Sequence, residues 1–249
     1  MKFEPKHHVI INNMPVLPYA IEEAMNRLRI NISFQGSKIR KVLVISTLPD
    51  EGKSFVSMQL WRQMAEAETK SILVDMDLRK SVMVKKYQIQ PEDEAGLLGT
   101  SFYLANDIGL EECVVSTDIG LGDLLPNVKN VINPSMLLEG DKLENTLNEL
   151  AENYRFVFID APPLNLVSDG ERIASMCDGA VLVVRAGETP KSMIRNSIRQ
   201  LERAGCPLLG ITLSRAQGSK NGYYYKRYGK GYGYGKGYDG YGYYYGEHK

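Results

Sequence analysis

Short apolar runs alternate with longer stretches of helical period along most of this chain. Residues 41–46 (KVLVIS), 71–75 (SILVD), 155–160 (RFVFID), 179–185 (GAVLVVR) and 208–213 predict strands. Several are unbroken runs rich in Val and Ile, without in–out alternation, as strands covered on both faces require. Residues 55–67, 135–153 and 191–204 predict helices, and in 19–34 Ile21, Met25, Leu28 and Ile32 fall on one stripe. Trp61 is expected to pack its helix onto the sheet. Residues 96–131 are mixed, with a helix and a short strand, and residues 1–18, with three prolines, read as an irregular arm. Strands alternating with helices predict an α/β fold: a mostly parallel sheet flanked by helices on both faces.

The pattern stops near the C terminus, which divides the chain into an arm (1–18), a main domain (19–218) and a tail (219–249). The tail has no Val, Ile, Leu, Met or Phe, and nine glycines between Gly222 and Gly246. It cannot build a core, and disorder is the expectation. It does hold eleven of the chain's 15 tyrosines: Tyr223, Tyr224, Tyr225, Tyr228, Tyr232, Tyr234, Tyr238, Tyr241, Tyr243, Tyr244 and Tyr245. Such a segment is either a sticky aromatic tail or a substrate.

Composition adds limits. A chain of 249 residues suits one α/β domain or two small ones, and 43% apolar content allows a sizeable core. The net charge is zero, so overall charge does not point to nucleic acid. From Ser219 to Lys249 six Lys/Arg face two Asp/Glu, so the tail carries +4 and the remainder −4. Cys113, Cys177 and Cys206 are too few and scattered for a disulfide framework or a metal site, and read as buried thiols. The first residues lack the apolar core of a signal peptide, and no apolar run approaches the roughly 20 residues that span a bilayer. A cytoplasmic protein is expected, recruited to the membrane face by a partner.

Chemistry enters after the first strand, at Pro49-Asp50-Glu51-Gly52-Lys53-Ser54-Phe55. Gly-Lys-Ser between a buried strand and a helix matches the end of a phosphate-binding loop, although Thr47 stands where the first glycine is expected. Backbone N–H groups at a helix N-terminus can wrap a phosphate, Gly52 allows the close approach, Lys53 would neutralise phosphate oxygens and Ser54 would ligate Mg²⁺. The strands 71–75 and 155–160 end in Asp75-Met76-Asp77 and Asp160. Parallel strands share one carboxyl edge, so Asp75, Asp77 and Asp160 are expected beside the loop. Asp160 and Asp77 are candidate metal ligands with Ser54, Asp77 is a candidate proton acceptor, and Asp75 is either catalytic or a support for the loop. Each aspartate alone could equally be a strand-end turn or cap.

With these motifs in place the chain resembles the bacterial tyrosine kinases of capsule and exopolysaccharide synthesis, in particular the separate cytoplasmic subunit of Gram-positive bacteria. The likeness rests on residues 49–54, on ILVDMDLR (72–79), on FVFIDAPP (156–163) and on the tyrosine tail, and runs further through NPS (133–135), LVSD (166–169) and VVRAG (183–187). The resemblance implies a P-loop NTPase fold of the Min/Par-like kind and an ATP- and Mg-dependent kinase that phosphorylates its own tail tyrosines. It also implies a ring of subunits, activation by the cytoplasmic segment of a membrane protein and an opposing protein-tyrosine phosphatase, while the modest positive charge of the tail argues for no nucleic acid. In the helix 19–34, Glu23, Asn26 and Arg29 align with the family's oligomerisation motif, with Asn26 replacing its middle arginine. Ser214 replaces an asparagine the family tends to place near the nucleotide base. The rivals are a partitioning-type ATPase, which usually has a second lysine near the start of the loop where this chain has Thr47-Leu48, a nucleotide-dependent scaffold, and a polymer-binding tail.

Overall fold

The computed structural model describes residues 3–93 and 96–216. The tail 219–249, with all eleven of its tyrosines, lies outside the described residues. The described strands form one nine-stranded sheet. Its centre is built from β2 (Lys41–Ser46), β3 (Ser71–Asp75), β7 (Phe156–Asp160) and β8 (Gly179–Arg185), in the order β3-β7-β2-β8, all parallel. Parallel β9 (Leu208–Ser214) closes one edge. On the other side β6 (Gly122–Leu125) pairs parallel with β3 and antiparallel with β5 (Val115–Thr117). Beyond them lie β1 (His7–Ile11), parallel to β5, and β4 (Ile89–Pro91), antiparallel to β1.

Alternate residues of the central strands feed two cores. Leu43, Ile45, Ile72, Val74, Val157 and Ile159 pack on one face with α6 (Asp141–Asn153) and α7 (Asp169–Ala174). Val42, Val44, Leu73, Phe156 and Phe158 pack on the other with α1 (Tyr19–Ser33) and α2 (Lys53–Glu66). Both faces are therefore apolar, which is why these strands show no alternation in the sequence. Trp61 of α2 is fully buried. Its neighbour across the interface is Gly122, where a Cβ would stand 2.6 Å from the indole, so only glycine permits this approach.

The fold differs from expectation in four places. The arm 1–18 is not wholly irregular, because β1 runs through it with Val9 and Ile11 buried. Such a short strand owes its existence to pairing with β4 and β5, which no local pattern reveals. The helix expected over 135–153 is two helices, α5 (Ser135–Glu139) and α6, separated at Gly140 with extended backbone (φ −77°, ψ 163°). Within α1, Met25 and Ile32 are buried but Ile21 is exposed. The short helices α3 (Met83–Tyr87) and α7 fall where no helix was predicted, while α4 (Thr100–Ala105) lies in the mixed stretch. The remaining helix, α8 (Lys191–Arg203), falls within its predicted range. All three cysteines are free and buried. Among the described residues no helix is long and apolar enough to cross a membrane.

Candidate active site

The carboxyl ends of β2, β3 and β7 meet at one edge of the sheet. Asp75 and Asp160 are register partners on adjacent strands, and Val44 of β2 is paired with Asp160 on its other side. The loop leaving β2 turns through Asp50 (φ 60°) and Gly52 (φ 93°), both left-handed, and enters α2 at Lys53. A left-handed glycine costs no steric strain, and here it sets the N-terminus of a 14-residue helix against the cleft. The N–H groups of Gly52, Lys53 and Ser54 have no acceptor among the described residues. Unpaired donors at a helix N-terminus are the arrangement an anion-binding cradle requires.

Inside this loop Glu51 plays a part the sequence reading did not assign. Its carboxylate is buried and accepts from the Leu48 N–H at 2.7 Å, the Arg185 N–H at 3.4 Å and the Thr189 hydroxyl. The side chain faces inward, so only the backbone of Glu51 is available to a phosphate. The loop is tied on its other flank by Leu164 N–H to Ser46 O at 3.0 Å and Asn165 N–H to Thr47 O at 3.2 Å.

Lys53 is the hub. Its Nζ lies 2.8 Å from Asp77 Oδ2, 3.6 Å from Asp160 Oδ1 and 3.2 Å from Ser54 Oγ. Burial works against its charge, but the carboxylates of Asp160 and Asp77 outweigh that and raise its pKa. Asp75 is fully enclosed and accepts from the Ser81 hydroxyl and from the Asp77 N–H at 3.2 Å. Burial, then the neighbouring Asp160 charge, pushes its carboxyl up to about 7. Burial likewise raises Asp160, with Lys53 opposing. Asp77 also accepts from the Lys80 N–H at 3.1 Å.

These residues fit a hard divalent cation. Among the described residues Asp160 Oδ1 is buried without a hydrogen bond, answered only by the Lys53 ammonium at 3.6 Å, which leaves room for a cation to complete its partners. Mg²⁺ uses one or two carboxylates with phosphate oxygens and water, so a dense cage of acidic groups is not required, and among the described residues there is none.

The cleft over this cluster measures about 270 Å³. Pro49, Asp50, Gly52, Lys53, Ser54, Phe55 and Asp77 line it, as do Arg79, Lys80, Lys86 and Arg215, which the sequence reading gave no role. Arg79 is committed elsewhere: it forks onto Asp169 at 2.6 and 3.1 Å and donates to Ile132 O at 3.0 Å. That bidentate pair straps the loop after β3 to α7. The only earlier signal for it was that Arg79 and Asp169 both fall inside the quoted motifs. Ser214 lies beside the phosphate loop: a Cβ on Gly52 would stand 3.5 Å from Ser214 Cβ.

Glu23, Asn26 and Arg29 lie on α1 and do not line the cleft. Arg29 donates to Asn26 Oδ1 through Nε (3.1 Å) and Nη2 (2.9 Å), so Asn26 holds the arginine in place. The ion pair between α1 and α2 is made by Glu22 with Arg62, at 2.7 Å.

A family model described as an AAA domain matches residues 42–186. The chain is 32% identical over 210 residues to the tyrosine-protein kinase CpsD of Streptococcus agalactiae, covering 84% of this chain and 90% of that protein. Among solved structures, the kinase domain of the Escherichia coli tyrosine kinase ETK superposes with a TM-score of 0.72 at 25% identity, covering 90% of this chain and 86% of that one. The chimerical protein CapA2B2 also gives 0.72, at 28% identity, over 83% of this chain and 94% of the other.

Proposed function

The chain belongs to the family of bacterial tyrosine-protein kinases, and we propose that it transfers the γ-phosphoryl group of ATP to the tyrosines of its own tail, Tyr223 to Tyr245. Tyrosine-kinase activity and a nucleotide-binding phosphate-loop fold come with that membership. The choice of acceptor rests on the tail itself, which offers eleven phenols and little else. The observation that carries the mechanism is the position of Lys53, at the mouth of the loop between Asp77 and Asp160.

The phosphates of ATP lie on the free N–H groups of Gly52, Lys53 and Ser54. Their charge draws the Lys53 ammonium away from Asp77, and the freed carboxylate accepts the proton of the incoming phenol. The phenolic oxygen bonds to the γ-phosphorus as the bond to the β–γ bridging oxygen breaks, and ADP leaves. Mg²⁺, held by Ser54 and Asp160, would supply further charge neutralisation at the phosphates. Asp75, enclosed by Ser81 and the Asp77 N–H, supports Asp77 and does not reach the substrate.

The surroundings follow from the family resemblance. A cytoplasmic segment of a membrane protein activates the kinase and recruits it to the membrane face. The subunits assemble through the Glu23, Asn26 and Arg29 face of α1. A protein-tyrosine phosphatase resets the tail, and the cycle regulates capsule or exopolysaccharide synthesis.

The test is incubation with Mg-ATP, with and without an activating fragment, followed by mass spectrometry of the tail. Phosphate on tail tyrosines is expected, and Lys53→Met should reduce it at least a hundredfold, as loss of a group neutralising transferred phosphate does. ATP hydrolysis with an unmodified tail in both conditions would instead favour a partitioning-type ATPase.

A further inference from the structure

We propose that the rim of the cleft formed by Lys80, Val82, Lys86 and Phe55 is a phosphotyrosine subsite, which holds one already phosphorylated tail residue while a neighbouring tyrosine reacts. This rests on the reading that the tail is the acceptor. Lys80 and Lys86 both line the cleft, and neither has an acidic partner among the described residues. The neighbouring cations are occupied: Lys53 by Asp77 and Asp160, Arg79 by Asp169. Arg215, also without an acidic partner, follows Ser214 and so belongs to the wall beside Gly52.

The two lysines adjoin the reacting centre. The Lys80 N–H donates to Asp77, so its side chain springs from beside the proton acceptor. Lys86 sits with Nζ 5.8 Å from the centre of the Phe55 ring and 5.3 Å from that of Tyr87. Burial lowers its pKa, and the charges of Asp160 and Lys53 both reach it. An exposed ammonium group without a paired carboxylate among the described residues, set beside two aromatic rings, suits the phosphate ester of a phenol. The phosphate meets the two lysines while the ring lies on Phe55 and Val82.

Charge gives the subsite its consequence. The unmodified tail carries +4 and is repelled by a cationic rim. One phosphate places about −1.5 to −2 on the modified side chain, so the group offered to the two lysines is anionic while the tail as a whole stays cationic. In an extended chain, side chains two residues apart share a side at roughly 7 Å. The tail repeats that spacing at Tyr223/Tyr225, Tyr232/Tyr234, Tyr241/Tyr243 and Tyr243/Tyr245. A phosphate held at one member brings the other toward Asp77, so the first transfer is slow and later ones follow quickly in clusters.

The test uses two peptides of residues 221–229, one unmodified and one phosphorylated at Tyr225. They are titrated by fluorescence anisotropy onto the dephosphorylated full-length protein, saturated with a non-hydrolysable ATP analogue. The phosphorylated peptide should bind about tenfold tighter or more. That preference should vanish in Lys80→Gln/Lys86→Gln and fall in the single Lys86→Gln variant. On the unaltered protein, free phosphotyrosine should displace the peptide at concentrations where inorganic phosphate does not. Equal binding of the two peptides, a preference that survives the double substitution, or equal displacement by inorganic phosphate would overturn the subsite. Tail mass spectrometry reports separately on the acceptor reading: an unmodified tail sinks that reading and leaves a phosphotyrosine-binding rim standing.

Discussion

Lys53 is a single cation serving three carboxylates, Asp75, Asp77 and Asp160, in a setting where two of the three are fully enclosed. Enclosed charge of one sign beyond what its counter-ion neutralises is destabilising, and the raised Asp75 and Asp160 values express that. The folded state of the nucleotide-free protein therefore binds these protons more tightly than the unfolded chain does. Stability falls wherever the folded state holds the extra protons, that is, as pH rises from the ordinary aspartate value near 4 through the raised Asp75 value of about 7. Thermal melts of the nucleotide-free protein between those limits should show a falling melting temperature, and a rising one would contradict the placement of these groups. Lys53→Met removes the counter-ion. It should steepen the fall, and it should do so without ATP present, which separates this electrostatic effect from the loss of catalysis.

At the scale of elements, the phosphate loop is held in shape by a buried carboxylate that faces away from the ligand. Glu51 gathers the Leu48 N–H, the Arg185 N–H and the Thr189 hydroxyl, tying the loop after β2 to the end of β8. Glu51→Ala strands buried donors, which costs about 1–3 kcal/mol, and it loosens the cradle. The expected result is a lower melting temperature together with a higher KM for ATP. An unchanged KM would mean the cradle keeps its shape without this anchor. In the sequence Glu51 reads as one more residue of a phosphate motif, because a motif fixes spacing and not the direction of a side chain. The central strands were legible for the opposite reason: β2, β3 and β8 are apolar on both faces, so their bounds follow from composition alone. The edge strand β4 and its neighbour β1 were not, since each is short and depends on its neighbours for hydrogen bonds. The three aspartates could be placed from the sequence by the rule that parallel strands share a carboxyl edge. The cations of the rim could not, because Lys86 reaches the cleft from α3, a five-residue helix with too few positions to show a period.

For the whole molecule, the proposed assembly of subunits has an electrostatic test in the tail's charge. The tail carries +4 against −4 on the remainder, so one subunit's tail is attracted to the body of another. Each phosphate contributes about −1.5 to −2 at pH 7, and three would add about −4.5 to −6, enough to turn the tail negative. The attraction between tail and body then gives way to repulsion between two negative groups. Light scattering on size-exclusion fractions should therefore show a larger species before incubation with Mg-ATP and a smaller one after at least three phosphates are counted by intact mass. Salt provides the control that identifies the force. At 1 M ionic strength the Debye length shrinks to about 3 Å, so the unphosphorylated assembly should weaken in the same way without any phosphate. An assembly insensitive to both treatments would be held by the α1 face, where Asn26 fixes Arg29, and the tail would then have no part in its size. The clustering expected from the Lys80 and Lys86 rim sharpens the outcome. If later phosphates follow the first quickly, each tail passes from +4 to negative with few intermediates, and the change of assembly with time should be steep rather than graded.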